Sequence, residues 1–202
     1  MRERSRARRI LLTIVALGVV AAAAGVGSYA AFSSQTSNGG NSFSSGTVVL
    51  TDDDAGGAML SLSNAKPGDT VSGCIKVTYS GSLAANVHLY ASQTGSLGQY
   101  LNLTVTRGTG ATFASCAGFT ADATNYLGSG AGVIYSGTLQ SYPATYAAGV
   151  VDPSNCGSPP CAAQTWNNTN NHVYKFVVTL ADNNSAQGLS GTAAFTWEAQ
   201  NT

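Results

Sequence analysis

Apolar residues recur at every second position along much of the chain, with turn-forming residues between the runs. Val71, Gly73, Ile75, Val77 and Tyr79 share one face of a long segment, and Val87, Leu89 and Ala91 share one face of the next. Leu101, Leu103 and Val105 alternate with Asn102, Thr104 and Thr106. Tyr174, Phe176, Val178 and Leu180 alternate with Lys175 and Thr179, and Ala193, Phe195, Trp197 and Ala199 with Thr196 and Glu198. A period of two is that of a half-buried strand, whose successive side chains point to opposite faces. Turn chemistry separates these runs: Asp52-Asp53-Asp54-Ala55-Gly56-Gly57, then Asn64-Ala65-Lys66-Pro67-Gly68-Asp69, Ser80-Gly81-Ser82, and a polar stretch from Asp182 to Gly188. The pattern also predicts a strand from Phe43 to about Thr51 and another carrying Leu60 and Leu62 on one face. These first strands read as an antiparallel meander. Between Gly108 and Cys161 the pattern is less regular, with a strand around residues 133–139 and a helical turn within residues 142–149. About eight short strands, each with one apolar face, predict an all-β domain over residues 43–202, an antiparallel β-sandwich of jelly-roll type.

Residues 1–42 follow a different pattern. Five arginines lie within the first nine residues, followed by an uncharged run over residues 10–26. Seventeen apolar or small residues are at the short end for a spanning helix, and basic flank plus apolar run plus small residues is the pattern of an export signal. Ser28 and Ala30 fit the small-x-small rule for cleavage, which puts the cut between Ala30 and Ala31. An uncleaved anchor is the alternative, and either reading places the domain outside the cytoplasm. The released chain would begin Ala31, Phe32, Ser33, Ser34, Gln35, Thr36, the front of a polar segment over residues 31–42. One aromatic among Ser, Asn and Gly cannot bury enough apolar surface to hold a conformation alone, so this segment is free to pair with something else.

Composition then narrows the function. The precursor carries nine basic and nine acidic residues. Removing the signal leaves Lys66, Lys76, Arg107 and Lys175 against eight acids, a net charge near −4 with no basic patch for nucleic acid. Cys74, Cys116, Cys156 and Cys161 suit an oxidising compartment and allow three pairings. Cys156 with Cys161 and Cys74 with Cys116 is the favoured set. No Cys-x-x-Cys pair and no neighbouring histidine supports zinc, and the two histidines, His88 and His172, stand 84 positions apart. Asp52-Asp53-Asp54 offers carboxylates to calcium but lacks the spacing of a known loop. Tyr100, Tyr126, Tyr142 and Tyr146, read as exposed, are candidates for stacking on sugar. No nucleophile elbow or phosphate loop is present. No catalytic residue and no cofactor is expected.

Several of these stretches together resemble the TasA/camelysin family of secreted matrix proteins, whose export depends on a SipW-type signal peptidase. The resemblance is carried by Gly27-Ser28-Tyr29-Ala30-Ala31-Phe32-Ser33, by the segment from Asn41 to Leu50, by Leu62-Ser63-Asn64-Ala65-Lys66-Pro67-Gly68-Asp69, by Ser80-Gly81-Ser82-Leu83-Ala84, and by the closing Ala194-Phe195-Thr196-Trp197-Glu198-Ala199-Gln200. It implies a subunit of extracellular, biofilm-matrix filaments whose partner is itself, with a minor or anchoring matrix protein as a further partner. It also implies donor-strand exchange, in which the mature amino terminus of one copy completes a sheet of the next. Some relatives are described as metallopeptidases, yet the chain has no His-Glu-x-x-His motif, and a monomeric adhesin or glycan-binding sandwich is the other alternative. Sequencing the first residues of the exported protein should read Ala31-Phe32-Ser33; an intact Met1 would establish the anchor instead.

Overall fold

A Cβ atom added to Gly73 would lie 2.5 Å from the Met59 carbonyl oxygen. That contact shows how the sequence solves its first packing problem. In the computed structural model, which describes residues 45–202, residues 58–62 do not form the strand predicted around Leu60 and Leu62. They cross the inner face of a sheet edge as an irregular strap, and only a glycine at 73 lets it approach so closely. The expectations for residues 1–44, including the Ala30/Ala31 cleavage and the segment from Ala31 and Phe32 onward, lie outside the described residues.

Among the described residues, ten strands follow in chain order: β1 (Leu50–Asp52), β2 (Thr70–Tyr79), β3 (Ala85–Gly95), β4 (Leu101–Thr109), β5 (Thr120–Ala121), β6 (Val133–Thr138), β7 (Val150–Val151), β8 (Thr165–Trp166), β9 (Asn171–Leu180) and β10 (Gly191–Asn201). One sheet runs β1-β2-β9-β4, with β5 and β6 sharing the outer edge of β4. The other runs β10-β3, with β7 and β8 sharing the far edge of β3. Every pairing is antiparallel. The pairs β2 with β9, β3 with β8 and β4 with β6 are those of a long hairpin wound across two sheets, the jelly-roll arrangement, and β10 is appended outside β3.

The fold is all-β with two antiparallel sheets, as the alternation predicted, but it is not a meander. Strands β2, β3 and β4 do not pair with one another, because the turns at residues 80–84 and 96–100 carry the chain across the sandwich. Alternation reports which face of a strand is buried and is silent on its neighbour. The first strand is likewise confined to Leu50–Asp52 among the described residues. Between the sheets, Tyr79, Val87, Val105, Tyr174 and Phe176 are fully buried, and Phe176 packs against Phe195 and Trp197 with ring centroids 4.5 and 5.9 Å away. Side chains of this size contribute roughly 2 to 3 kcal/mol each on burial.

The irregular stretch between β4 and β9 is held at two places. On the outer face of the larger sheet, the Cys74–Cys116 disulfide pins residues 111–119 over β2 and β9, burying Cys74, Ala111 and Val173. At the Tyr79 end of the sandwich, Arg107 occupies the inward position that follows Leu101, Leu103 and Val105, with 2% of its side chain exposed. Its Nε donates to Asp122 Oδ2 at 2.6 Å and its Nη1 to Asp152 Oδ2 and Gln164 Oε1 at 3.1 Å each, and it also reaches the Pro153 carbonyl and the Tyr126 hydroxyl. Asp152, fully buried, further accepts from Trp166 Nε1 at 2.8 Å and the Tyr174 hydroxyl at 2.9 Å. One carboxylate thus joins β4, β8 and β9. Burial is the main reason the Tyr126 hydroxyl is pushed up to about 12, so it stays a donor at any physiological pH. Removing one member of a buried pair leaves an uncompensated charge, so Asp152→Ala should cost about 3–5 kcal/mol in urea unfolding; a loss below about 1 kcal/mol would show that the cluster is not the clamp described.

Candidate functional site

Unpaired main-chain groups are normally avoided at sheet edges, since each is an open template for another chain. Most edges here are blunted by brevity: β1 has three residues, and β5, β7 and β8 have two each. Strand β10 is the exception. It is paired to β3 without a register shift from Gly191 opposite Gly95 to Asn201 opposite Ala85, eleven residues, and its other edge pairs with no strand among the described residues. The sequence Gly-Thr-Ala-Ala-Phe-Thr-Trp-Glu-Ala-Gln-Asn contains no lysine, proline or bulge, the devices that ordinarily protect such an edge. Its single charge, Glu198, points to the outer face, where Gln200 and the Tyr90 hydroxyl donate to its carboxylate and hold it below the usual carboxylate range.

The inward residues of β10 are also incompletely covered. Ala193, Phe195, Trp197 and Ala199 pack on the core but remain only half-buried. Beside them runs a groove bounded by the strap over residues 58–62. A cavity of about 390 Å³ between Leu60, Leu62, Leu97, Leu139 and Phe195 opens this groove at the Gly191 end. A second, of about 280 Å³, shares Leu60 and Phe195 with the first and reaches Ile75 and Trp197. A third, of about 190 Å³, continues between Leu50, Val77 and Trp197. The indole N–H of Trp197 is buried with no acceptor among the described residues. An apolar floor beside unpaired N–H and C=O groups suits an extended backbone carrying small side chains and an occasional large apolar one.

The other sequence candidates fall elsewhere. Cys74 is bonded to Cys116 and Cys156 to Cys161, the second closing an exposed loop. His88 lies on the outer face of β3, stacked on Tyr146 at 4.2 Å, with its Nδ1 2.9 Å from the Tyr146 carbonyl oxygen. His172 points inward from β9, its Nε2 3.8 Å from Asp152 Oδ2. The two imidazoles therefore face away from a common centre, and among the described residues no three His, Cys, Asp or Glu side chains converge as metal ligands would. Asp53 accepts from the Lys76 and Phe113 backbone N–H groups at 2.8 Å each, tying the turn to β2 and to the loop at residue 113, and Asp54 accepts from Gly56 N–H at 2.7 Å within the turn. The expectation of four exposed tyrosines is corrected: Tyr126 and Tyr142 are buried, and Tyr100 and Tyr146 are half-buried. Period and composition miss the clamp, although a charge at Arg107, on the inward phase of an apolar alternation, is the signal that could have revealed it.

A protein-family profile described as Camelysin metallo-endopeptidase matches residues 7–96, bearing out the resemblance read from the residues. The matched span holds β1, the strap, β2 and β3 and ends before β4, so the far wall of the groove, β10, lies beyond it. No curated protein matches the chain. The metal that the family's description implies does not fit the described residues, for the geometric reason given above, and no chemical step is assigned to one.

His172 makes one solution property testable. Burial, only partly offset by Asp152, holds its pKa below the ordinary 6.5. As pH falls through about 6.5, the unfolded chain takes up a proton that the folded protein resists, so stability drops towards the lower folded value. Urea midpoints should therefore fall between pH 7.5 and about pH 5 in the native sequence and fall less in His172→Gln; equal slopes would refute the assignment.

Proposed function

From a chain that carries a camelysin-family region over residues 7–96, we propose a secreted, non-enzymatic structural subunit of extracellular filaments that assembles by strand donation. The observation that carries this reading is the β10 edge, eleven residues without a blunting device beside an apolar groove. Residues 31–41 are the donor. Their backbone pairs with β10 of another copy, and Phe32 supplies the one large apolar side chain for the groove. Affinity then comes mainly from main-chain hydrogen bonds, which explains why a segment of Ser, Thr, Asn and Gly suffices. The cleavage between Ala30 and Ala31 frees the donor, so export and assembly are coupled.

A peptidase reading has the family's description in its favour, but the positions of His88 and His172 give it no centre in the described domain. A glycan-binding reading loses its aromatic platform, because two of its four tyrosines are buried.

Deleting residues 31–41 from the mature protein should leave thermal unfolding of the domain unchanged while abolishing filaments in electron micrographs and the polymer fraction in sedimentation. A synthetic peptide of residues 31–41 should bind the truncated domain and should fail to bind Ala193→Arg, which places a long charged side chain in the groove. Filaments formed undiminished by the truncated protein would refute strand donation.

A further inference from the structure

We infer that the Cys156–Cys161 disulfide is a redox-sensitive latch on the Arg107–Asp152 clamp, opened by a dithiol reductant that leaves Cys74–Cys116 intact. The inference concerns the covered edge of β3 and is independent of how copies assemble.

The backbone shows what the bond holds. Val150 and Val151 pair with Leu89 and His88, and Asp152 N–H donates to the Val87 carbonyl at 2.9 Å. Thr165 and Trp166 then pair with Asn86 and Ala85. Strands β7 and β8 are thus two pieces of one edge strand antiparallel to β3, interrupted by an excursion over residues 153–164. Gln164 N–H donates to the Asp152 carbonyl at 2.8 Å and closes the base of that excursion, and Ser154 N–H donates to the Ala162 carbonyl at 2.7 Å further out. Cys156 and Cys161, five positions apart, close its tip.

The base of the excursion is also one side of the clamp. Arg107 Nη1 donates to Asp152 Oδ2, to Gln164 Oε1 and to the Pro153 carbonyl. Asn155, next to Cys156, accepts from the Tyr126 hydroxyl at 2.9 Å and the Thr124 hydroxyl at 3.3 Å. These acceptors come from both arms of the excursion, so their positions depend on how the arms are held together. Cutting the tip returns to the arms the freedom that the ring removed, a factor of roughly 40 for so small a loop in the chain-entropy model. Part of that freedom is taken from the contacts at the base.

The two disulfides differ in what a thiol can do to them. Exchange requires a thiolate to reach one sulfur while the other leaves as a thiolate. Cys74 is fully buried with Ala111 and Val173, which bars attack on it; attack on the half-buried Cys116 would expel Cys74 as an anion into an apolar site that disfavours the charge. Cys156 and Cys161 are both half-buried, and the residues between them, Gly157-Ser158-Pro159-Pro160, are exposed. Cys161 packs against the core, which leaves Cys156 as the more open sulfur. The reductant's thiolate attacks Cys156 Sγ, the bond to Cys161 breaks, and Cys161 leaves as a thiolate that takes a proton from solvent. The reductant's second thiol, once deprotonated, displaces Cys156 in the same way and closes a cyclic disulfide. Two electrons pass from the dithiol to the cystine.

Trapping free thiols tests this. The native protein and Gln164→Ala are equilibrated without denaturant in a series of reduced-to-oxidised dithiothreitol ratios, and thiols are alkylated with iodoacetamide and located by peptide mass spectrometry. Cys156 and Cys161 should be alkylated at ratios where Cys74 and Cys116 stay bonded. Coupling is reciprocal, so removing the Gln164 acceptor should raise the reduced-to-oxidised ratio of Cys156–Cys161 about fivefold or more in the same buffer. Alkylation of Cys74 and Cys116 at the same or lower ratios, or none at Cys156 and Cys161, would overturn the assignment of the reducible bond. An equal reduced fraction in both proteins would overturn the latch, leaving a bond that closes its loop without holding the clamp.

Discussion

A folded sheet must account for the main-chain groups along every edge, and among the described residues the longest edge left without a strand partner is that of β10. The larger sheet ends in β1, three residues long, and in the short β5 and β6; the smaller ends on one side in the two-residue β7 and β8. These brief strands leave little ladder to template. Strand β10 has eleven residues of it, in register throughout. The strap over residues 58–62 bears on the same problem, since it covers the inner edge of β2 without extending the sheet to meet β10. Among the described residues, the long edge of β10 is therefore the one that no strand covers.

The closed side depends on a different interaction. The stretch between β4 and β9 has too little periodic structure to bury an apolar face of its own, and it is tied down by the Arg107–Asp122–Asp152 cluster and the Cys74–Cys116 bridge. Asp152 accepts from Arg107, Trp166 and Tyr174, so the short strands that cover the outer edge of β3 are attached to the core of the opposite sheet. That attachment matters for the open edge as well. Strand β3 is the only strand partner of β10 among the described residues, and fixing its far side fixes the strand against which β10 is laid.

Much of this was legible before the structure. The inward sets on β2, β3, β4, β9 and β10 could be read residue by residue, because a period of two is set by strand geometry alone. What was not legible was pairing. The stretch from Val71 to Val105 reads as a meander, yet its strands alternate between sheets, since both sheets bury their faces in one seam and leave the same pattern. Leu60 and Leu62 show the limit at shorter range: two leucines at i and i+2 satisfy a strand pattern, whereas the backbone of the strap is fixed by the missing side chain of Gly73. The clamp was hidden because Arg107 and Asp152, 45 positions apart, acquire meaning only once the residues between them have folded back. The groove was hidden for a related reason. Its two walls are 131 positions apart at Leu60 and Gly191, and only the tertiary fold brings them together.

That separation orders events in the making of the molecule. The segment proposed as donor precedes the described residues in sequence, while the proposed acceptor edge is β10, over residues 191–201. Chain synthesis makes the proposed donor before β10, so at that stage no complete groove exists on its own chain. Once β10 pairs with β3 the groove is complete, and Thr47, held to the turn at residues 80–84, lies at the opposite end of β10 from Gly191. On the proposed reading, the β10 edge of each copy is left for a neighbour's segment. Unlike a domain swap, this arrangement needs no closed monomer to be opened before a neighbour can be engaged.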